Sequence, residues 1–185
     1  MEVRSVTGFA ALPLRACRSF MRRVVGVPAA LRRRAERRRL EELRRASSER
    51  LRALHNIHSG RRGWVIGNGP SLNEMDLSLL KGEISFACNA IFLLYDRTDW
   101  RPTYYTVEDP YVAEDRAAEI NALRGPVKIF PDDLRHCLEA DERTYWLHFV
   151  RAYEPFPQFS GDCSQRAYWG GTVSFLSLQL AHYLG

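Results

Sequence analysis

The sequence predicts an α/β protein: a Rossmann-like, mostly parallel sheet that is preceded by a basic helical arm. Three observations predict this fold. Short apolar runs bounded by Gly, Pro or Asn recur from residue 63 onwards. Segments with helical spacing separate several of these runs, and strands that alternate with helices favour a parallel sheet. Before residue 63 the chain instead reads as an arginine-rich helix.

The composition restricts the classes of protein to consider. The chain has 185 residues, of which 45% are hydrophobic and 26% are charged, and this fits one ordinary domain with an arm. Twelve glycines and nine prolines without a fixed period exclude a collagen-like chain. No uncharged apolar run reaches 18 residues, so no transmembrane helix is predicted.

The net charge of +5 is the average of two unlike parts of the chain. Residues 1–62 contain 17 arginines and five acidic residues, which gives +12, whereas residues 63–185 have a net charge of −7. The sequence therefore predicts a basic arm joined to an acidic domain. A polyanionic or membrane partner would have to bind the arm rather than the domain.

The arm divides into two predicted segments. Residues 1–28 are predicted to be basic and flexible, with peripheral contact with an anionic membrane as the alternative; Arg15 and Arg18 interrupt any apolar signal-peptide core. Residues 29–58 are predicted to form an amphipathic helix whose leucine stripe docks on the domain or self-associates weakly. The stripe consists of Leu40, Leu43, Leu51 and Leu54. No nucleic-acid-binding motif accompanies the arginines, so a nucleic-acid partner is disfavoured.

The cysteines and histidines predict neither a disulfide framework nor a metal site. The four cysteines are widely spaced, which fits a reducing compartment and a cytoplasmic location, with the inner face of the membrane as a peripheral site. His55 and His58 fit the end of the arm helix, and His148 fits a core position inside an apolar run. His182 is not assigned a catalytic role.

Five strands are predicted in the domain that spans residues 63–185. They are Trp64–Ile66, Ile84–Cys88, Thr103–Val107, Val127–Phe130 and Thr144–Phe149. Helical spacing of Ala113, Ala117 and Ile120 predicts a helix between the third and fourth strands. A last helix follows Gly170-Gly171-Thr172, with one apolar face formed by Val173, Leu176, Leu180 and Leu184.

Polar residues follow the first three predicted strands, where a parallel sheet binds its ligand. The turn Gly67-Asn68-Gly69-Pro70-Ser71 exposes backbone amides that suit a phosphate, or it is simply a tight turn. Asn89 ends the second strand. Glu108 and Asp109 follow the third strand and are candidate catalytic or ribose-binding carboxylates, or an ordinary strand-end turn. The coincidence of the turn at residues 67–71 with Asn89 at the end of the next strand favours a ligand site.

The step Gly170-Gly171-Thr172 opens the last predicted helix. Backbone amides at a helix N-terminus can hold an anionic group. The alternative is an N-cap residue with a flexible entry into the helix.

Four segments of the domain together resemble one family. They are WVIGNGPSLNEMDLSLL, ISFACNAIFLLY, RPTYYTVEDPYV and YWGGTVSFLSLQLAHYLG. In order and spacing they resemble the MptE-like family, which includes archaeal 6-hydroxymethylpterin diphosphokinases and bacterial proteins of surface-glycan loci. The GNGPSL and CN elements also resemble bacterial sialyltransferases that use CMP-sialic acid. The resemblance covers about two thirds of the chain.

The resemblance implies a nucleotide-dependent transferase that uses a sugar-nucleotide donor in surface-glycan assembly. It implies that Asn68 and Asn89 touch the donor, that Gly67, Gly69 and Ser71 shape the turn, and that Gly171 and Thr172 contact its sugar or phosphate region. Relatives continue into a further strand beyond the last helix, so a C-terminally truncated domain is expected. Two alternatives stay open: diphosphate transfer to a pterin alcohol, with Mg²⁺ held at Glu108 and Asp109, or an inactive nucleotide-binding or membrane-surface adaptor.

Overall fold

The computed structural model describes residues 29–152 and 154–185. The prediction of a flexible segment at residues 1–28 lies outside this described part. The chain divides into two compact units, Met1–Glu41 and Glu42–Gly185. In the described residues no helix has both the length and the apolar character needed to cross a membrane. The larger unit contains both sheets and the candidate site.

A five-stranded parallel sheet forms the centre of the larger unit and confirms the predicted α/β fold. Its strands are β1 Gly63–Val65, β2 Ile84–Cys88, β3 Tyr104–Thr106, β4 Val127–Pro131 and β5 Thr144–Leu147. Each strand pairs with its neighbour in sequence, in the order β1-β2-β3-β4-β5. β2 is buried along its whole length, as expected for a strand covered on both faces.

The four connections between these strands cover one face of the sheet, because parallel crossovers share one hand and the strand order never reverses. They contain 3₁₀ helices at Pro70–Glu74, Leu77–Leu80, Asn89–Leu94 and Asp132–His136, and two short α-helices, α2 Pro110–Asp115 and α3 Ala117–Ala122. The single helix predicted there is two, since Arg116 (φ −117°, ψ 19°) leaves the helical conformation. Ile91, Ala113 and Ile120 are buried in this layer.

Two other helices supply apolar side chains to the opposite face. The last one, α4 Val173–Leu184, packs over β1 and β2 and buries Leu176, Leu180 and Leu184. The arm helix, α1 Ala29–Arg52, ends six residues before the predicted limit, and turns follow it. Leu51 of α1 is 1% exposed and belongs to the same core.

A second, two-stranded sheet lies beyond β5 and was not predicted. The expected fifth strand breaks at His148, and Phe149–Val150 forms β6, which pairs in parallel with β7 Ala167–Tyr168. The buried side chain of Gln179 in α4 holds this region. It accepts from the amide nitrogens of Ser160 (3.1 Å) and Tyr168 (3.0 Å), and it donates to the Tyr168 carbonyl (2.8 Å).

Candidate functional site

The turn after β1 lies beside the end of β2. The side-chain nitrogen of Asn68 donates to the carbonyl oxygen of Cys88 at 2.9 Å, which fixes the turn against the last residue of β2. Gly67, Gly69 and Ser71 are exposed on either side of this tether. The turn predicted from sequence is therefore an exposed loop that a hydrogen bond holds in position.

The chain itself gives no steric reason for glycine at positions 67 and 69. A Cβ atom on Gly67 would meet no atom within 4 Å, and on Gly69 its nearest neighbour would be Ser71 Oγ at 3.8 Å. Gly69 has φ −67°, which any residue adopts, and Gly67 is not among the residues with positive φ. Neither position therefore requires glycine for steric reasons, and open space lies in front of Gly67.

Asn89 follows β2 in a conformation that few residues adopt. Its φ is +48°, in the left-handed region that asparagine tolerates better than most side chains. The hydroxyl of Tyr105 donates to the Asn89 carbonyl at 2.7 Å and supports this backbone. The side-chain oxygen Oδ1 is buried and has no hydrogen-bond partner among the described residues. Asn89 thus presents an unsatisfied acceptor one residue beyond Cys88, which holds Asn68.

Glu108 lies two residues beyond β3, next to the end of β2. It is 6% exposed, and its Oε2 has no hydrogen-bond partner among the described residues. Burial raises the pKa of Glu108 to about 7, with Arg151 opposing this rise and Asp109 adding to it. A carboxyl group with this pKa can accept or donate a proton near neutral pH.

Asp109 and Thr172 act as helix caps. Asp109 is exposed, and its Oδ1 accepts from the Tyr111 amide at 2.9 Å at the start of α2. This is the ordinary strand-end arrangement that the sequence left open for this residue. Thr172 Oγ1 accepts from the Ser174 amide at 3.3 Å at the start of α4, which matches the N-cap alternative.

The fold itself requires glycine at the two positions before Thr172. A Cβ atom on Gly170 would overlap the ring of Phe175, and Gly171 has φ +79°. The C-terminal end of α4 is hydrogen-bonded to the segment before β1. The amide of Asn56 donates to the Tyr183 carbonyl at 3.1 Å, and the amide of His58 donates to the Leu184 carbonyl at 2.9 Å. The N-terminus of α4 therefore points towards the edge where the strands end, the edge that also holds Asn68.

Arg151 is a residue of the site that sequence reasoning missed. Its Nη2 donates to the Glu108 carbonyl at 2.6 Å, and its Nε donates to Asp133 Oδ2 at 2.6 Å. These bonds join the ends of β3 and β4 to the segment after β6. Arg151 follows an apolar run with no motif around it, so no signal in the sequence identifies it.

A cavity of about 210 Å³ adjoins the turn and the 3₁₀ helix that follows β2. It is lined by Asn68, Gly69, Leu72, Asn73, Ala90, Ile91, Leu93 and Leu94. Polar groups lie on the side of the turn and apolar side chains on the side of the 3₁₀ helix. This combination is typical of small-molecule sites, in which a few polar groups orient a ligand against an apolar wall.

The described residues contain no group of three or more His, Cys, Asp or Glu side chains that could hold a metal ion. Glu108 and Asp109 are therefore not supplemented by a third donor, and the carboxylate of Asp109 is already engaged as a helix cap. The thiols of Cys88, Cys137 and Cys163 are free. Burial raises the pKa of Cys88 to about 11, which keeps this thiol protonated at the end of β2.

In comparisons with known proteins, no family model, no curated protein and no solved structure matches this chain.

Proposed function

We propose that the chain is a nucleotide-dependent transferase that binds a sugar nucleotide at the carboxyl ends of β1, β2 and β3. One observation carries this proposal: Asn89 Oδ1 and Glu108 Oε2 are buried acceptors without partners on neighbouring strand ends. Buried polar atoms in proteins are nearly always hydrogen-bonded. A ligand rich in hydroxyl and amino donors, such as a sugar or a nucleoside, satisfies acceptors of this kind.

The turn after β1 would receive the phosphates of this ligand. Gly67 leaves open space in front of the backbone, and at Gly69 only Ser71 Oγ lies within 4 Å of a Cβ position, so an anionic group can approach the amides closely. The adjoining cavity would receive the base against Ala90 and Ile91. Since the domain from residue 63 has a net charge of −7, local backbone donors rather than the overall field would hold the phosphates.

Glu108 is the candidate general base for transfer to a hydroxyl acceptor. Glycosyl transfer requires a group that removes the proton of the attacking hydroxyl, and such a group works best with a pKa near the working pH. Burial brings the pKa of Glu108 to about 7. Arg151 binds the carbonyl of Glu108 and so positions its backbone. Surface-glycan assembly remains the expected setting, on the sequence resemblance alone.

The decisive variant is Asn89→Gly, which removes the side-chain amide but keeps a residue that tolerates φ +48°. Isothermal titration calorimetry of the full chain with CMP, UDP and ATP–Mg²⁺ measures nucleotide binding. We expect a pyrimidine nucleotide to bind most tightly, because the sequence resembles transferases that use CMP-sialic acid. We expect Asn89→Gly to weaken this binding about tenfold, as loss of one hydrogen bond to a bound ligand does. Asn68 is less suitable because its side chain also holds the turn.

Asn56→Gly is the matched control, because Asn56 also has positive φ (56°) and lies before β1, at the opposite edge of the sheet. Gly67→Ala and Gly69→Ala are a second pair of test variants. Both should fold normally and bind nucleotide more weakly, since each added methyl group projects from the turn towards the ligand. Equal binding by wild type, Asn89→Gly and both alanine variants would contradict the site. Binding of ATP–Mg²⁺ alone would instead favour the diphosphokinase alternative.

A further inference from the structure

A second cavity lies at the opposite side of the sheet, beyond the end of β5. It has a volume of about 210 Å³ and is lined by Arg44, Arg45, Ser48, Trp146, His148, Ser164 and Gln165. These residues come from the C-terminal half of α1, from the end of β5 and from the segment before β7. β5 is two strand spacings, about 10 Å, from β3, the nearest strand of the nucleotide site proposed above. The two cavities share no lining residue, so this cavity is separate from that site.

The cavity is positively charged, because its lining contains two arginines and no carboxylate. Two acids next to the cavity contact residues of its lining. Asp132 has a side chain that is 5% exposed and receives the Arg44 Nε hydrogen bond at 2.6 Å, and Asp162 accepts from the side chains of Ser164 and Gln165. Arg45 contacts Glu49 at 3.3 Å in an exposed pair, which contributes little. One buried carboxylate therefore balances one arginine, and the charge of Arg45 remains available to a ligand.

Arg135 adds positive charge behind the cavity wall. Its guanidinium lies 4.3 Å from the centre of the Trp146 ring, and its Nη2 donates to Ser47 Oγ at 3.0 Å. Among the described residues no carboxylate forms an ion pair with Arg135. An anion in the cavity would thus be attracted by Arg45 and Arg135 together.

His148 is not the satisfied core histidine that the sequence predicts. Its side chain is 30% exposed and lines the cavity, while Nδ1 is buried, lies 3.8 Å from Asp132 Oδ2 and makes no hydrogen bond within the described residues. Burial lowers the pKa of His148; Arg44 and Arg166 lower it further, and Asp132 opposes them. The ring is therefore neutral at pH 7, and a bound anion would reverse the effect of the arginines.

We propose that this cavity binds the phosphoryl group of a small phosphorylated molecule. Arg45 supplies the charge, and Arg44, whose Nε is bonded to Asp132, adds a second guanidinium; arginine binds phosphate through two parallel hydrogen bonds. The Ser48 hydroxyl supplies a neutral donor, and the His148 ring is the titratable contact. Ser164 Oγ and Gln165 Nε2 also line the cavity, but they already donate to the carboxylate of Asp162, at 2.6 and 2.8 Å. The volume exceeds that of the phosphoryl group alone, so a phosphorylated sugar fits better than inorganic phosphate.

The test uses the full chain with inorganic phosphate, ribose 5-phosphate and sodium acetate as three ligands. Proton–nitrogen NMR of the histidine rings gives the pKa of His148 with and without each ligand. We expect both phosphates to bind and to raise the pKa of His148, with ribose 5-phosphate binding more tightly. We expect Arg45→Gln to weaken this binding about tenfold; the Arg45 side chain is 85% exposed, so its replacement does not threaten the fold.

Arg52→Gln is the matched control, because Arg52 is exposed, lies on the same helix and does not line the cavity. It should leave phosphate binding and the pKa of His148 unchanged. The proposal is overturned if phosphate leaves the His148 resonances unmoved, or if Arg45→Gln and Arg52→Gln weaken binding equally. Acetate binding as tightly as phosphate would overturn the phosphoryl assignment. The readout is the ring of His148, which lines this cavity and not the cavity beside the turn after β1, so a phosphate bound at the nucleotide site does not produce the same signal.

Discussion

Glu108 is the residue whose environment differs most from that of an ordinary surface carboxylate. Its side chain is buried, its Oε2 lacks a partner in the described part of the chain, and the nearest guanidinium, that of Arg151, is bonded to its carbonyl and to Asp133. The guanidinium of Arg151 thus donates to the backbone of Glu108 and to the carboxylate of Asp133, and not to the side chain of Glu108. Glu108 is left with a raised pKa, which a general base requires and a structural carboxylate does not.

This environment predicts a specific dependence of stability on pH. Burial raises the pKa of Glu108 from 4.5 in the unfolded chain to about 7 in the folded protein. The folded state therefore binds more protons between these values, and the stabilisation from Glu108 is complete below about pH 4.5 and lost as the pH rises through 7. We expect wild type to lose up to about 3 kcal/mol relative to Glu108→Gln between pH 4.5 and 8.

Urea unfolding of both proteins at pH 5 and pH 8 measures this difference. Glu139→Gln is the matched control, because Glu139 is exposed. The difference in free energy of unfolding between wild type and Glu139→Gln should be the same at both pH values. A difference between wild type and Glu108→Gln that is equal at the two pH values would mean that Glu108 is ionised normally. Glu108 would then be an unsuitable base.

The predictability of the site also differs from residue to residue. Asn68 and Asn89 were identifiable because Asn68 lies in the turn after β1 and Asn89 directly follows β2, and the ends of neighbouring parallel strands share one edge. Arg151 was not identifiable, because its partners Glu108 and Asp133 are 43 and 18 residues away in sequence. His148 was misread because the apolar run around it spans two strands of different sheets rather than one strand.

At the scale of elements, the helix α1 spans the boundary between the two compact units, which lies after Glu41. The sequence predicts a continuous leucine stripe, but burial divides it: Leu51 is 1% exposed, whereas Leu40 and Leu43 are 39% and 38% exposed. The Tyr183 hydroxyl also donates to the Leu51 carbonyl at 3.1 Å. Periodicity places these leucines on one face of the helix, but it does not distinguish the buried leucine from the two exposed ones.

Leucine-to-alanine variants test this division of α1. Leu51→Ala should destabilise the protein by about 3 kcal/mol, because it removes a buried side chain and leaves a cavity. Leu40→Ala and Leu43→Ala should each change the free energy of unfolding by less than about 0.5 kcal/mol. Thermal or urea unfolding gives these values. Equal losses for all three would mean that the whole stripe packs against a surface.

At the scale of the whole molecule, the charge boundary lies earlier than the sequence division at residue 62 indicates. Met1–Glu41 contains 11 arginines and three acidic residues, a net charge of +8, and residues 42–185 have a net charge of −3. Two arginines after residue 41 form ion pairs with acidic residues of the larger unit. Arg44 pairs with Asp132, and Arg62 pairs with Glu83.

We therefore expect membrane attraction to depend on residues 1–41 alone. The full chain should sediment with phosphatidylserine vesicles at low salt and be released as the salt concentration rises. A variant that lacks residues 1–41 should stay in the supernatant, and neither protein should bind phosphatidylcholine vesicles. Failure of the full chain to bind phosphatidylserine at low salt would contradict an adaptor role for the arm.

The strand order also has a consequence for how the chain folds. Because each strand pairs with the next one in sequence, every pairing closes a short loop, and the sheet can grow one strand at a time. Contacts such as that of Tyr183 with Leu51, 132 residues apart, close far larger loops and cost more entropy. Docking of α1 and α4 is therefore the step that we expect to come last and to make folding cooperative.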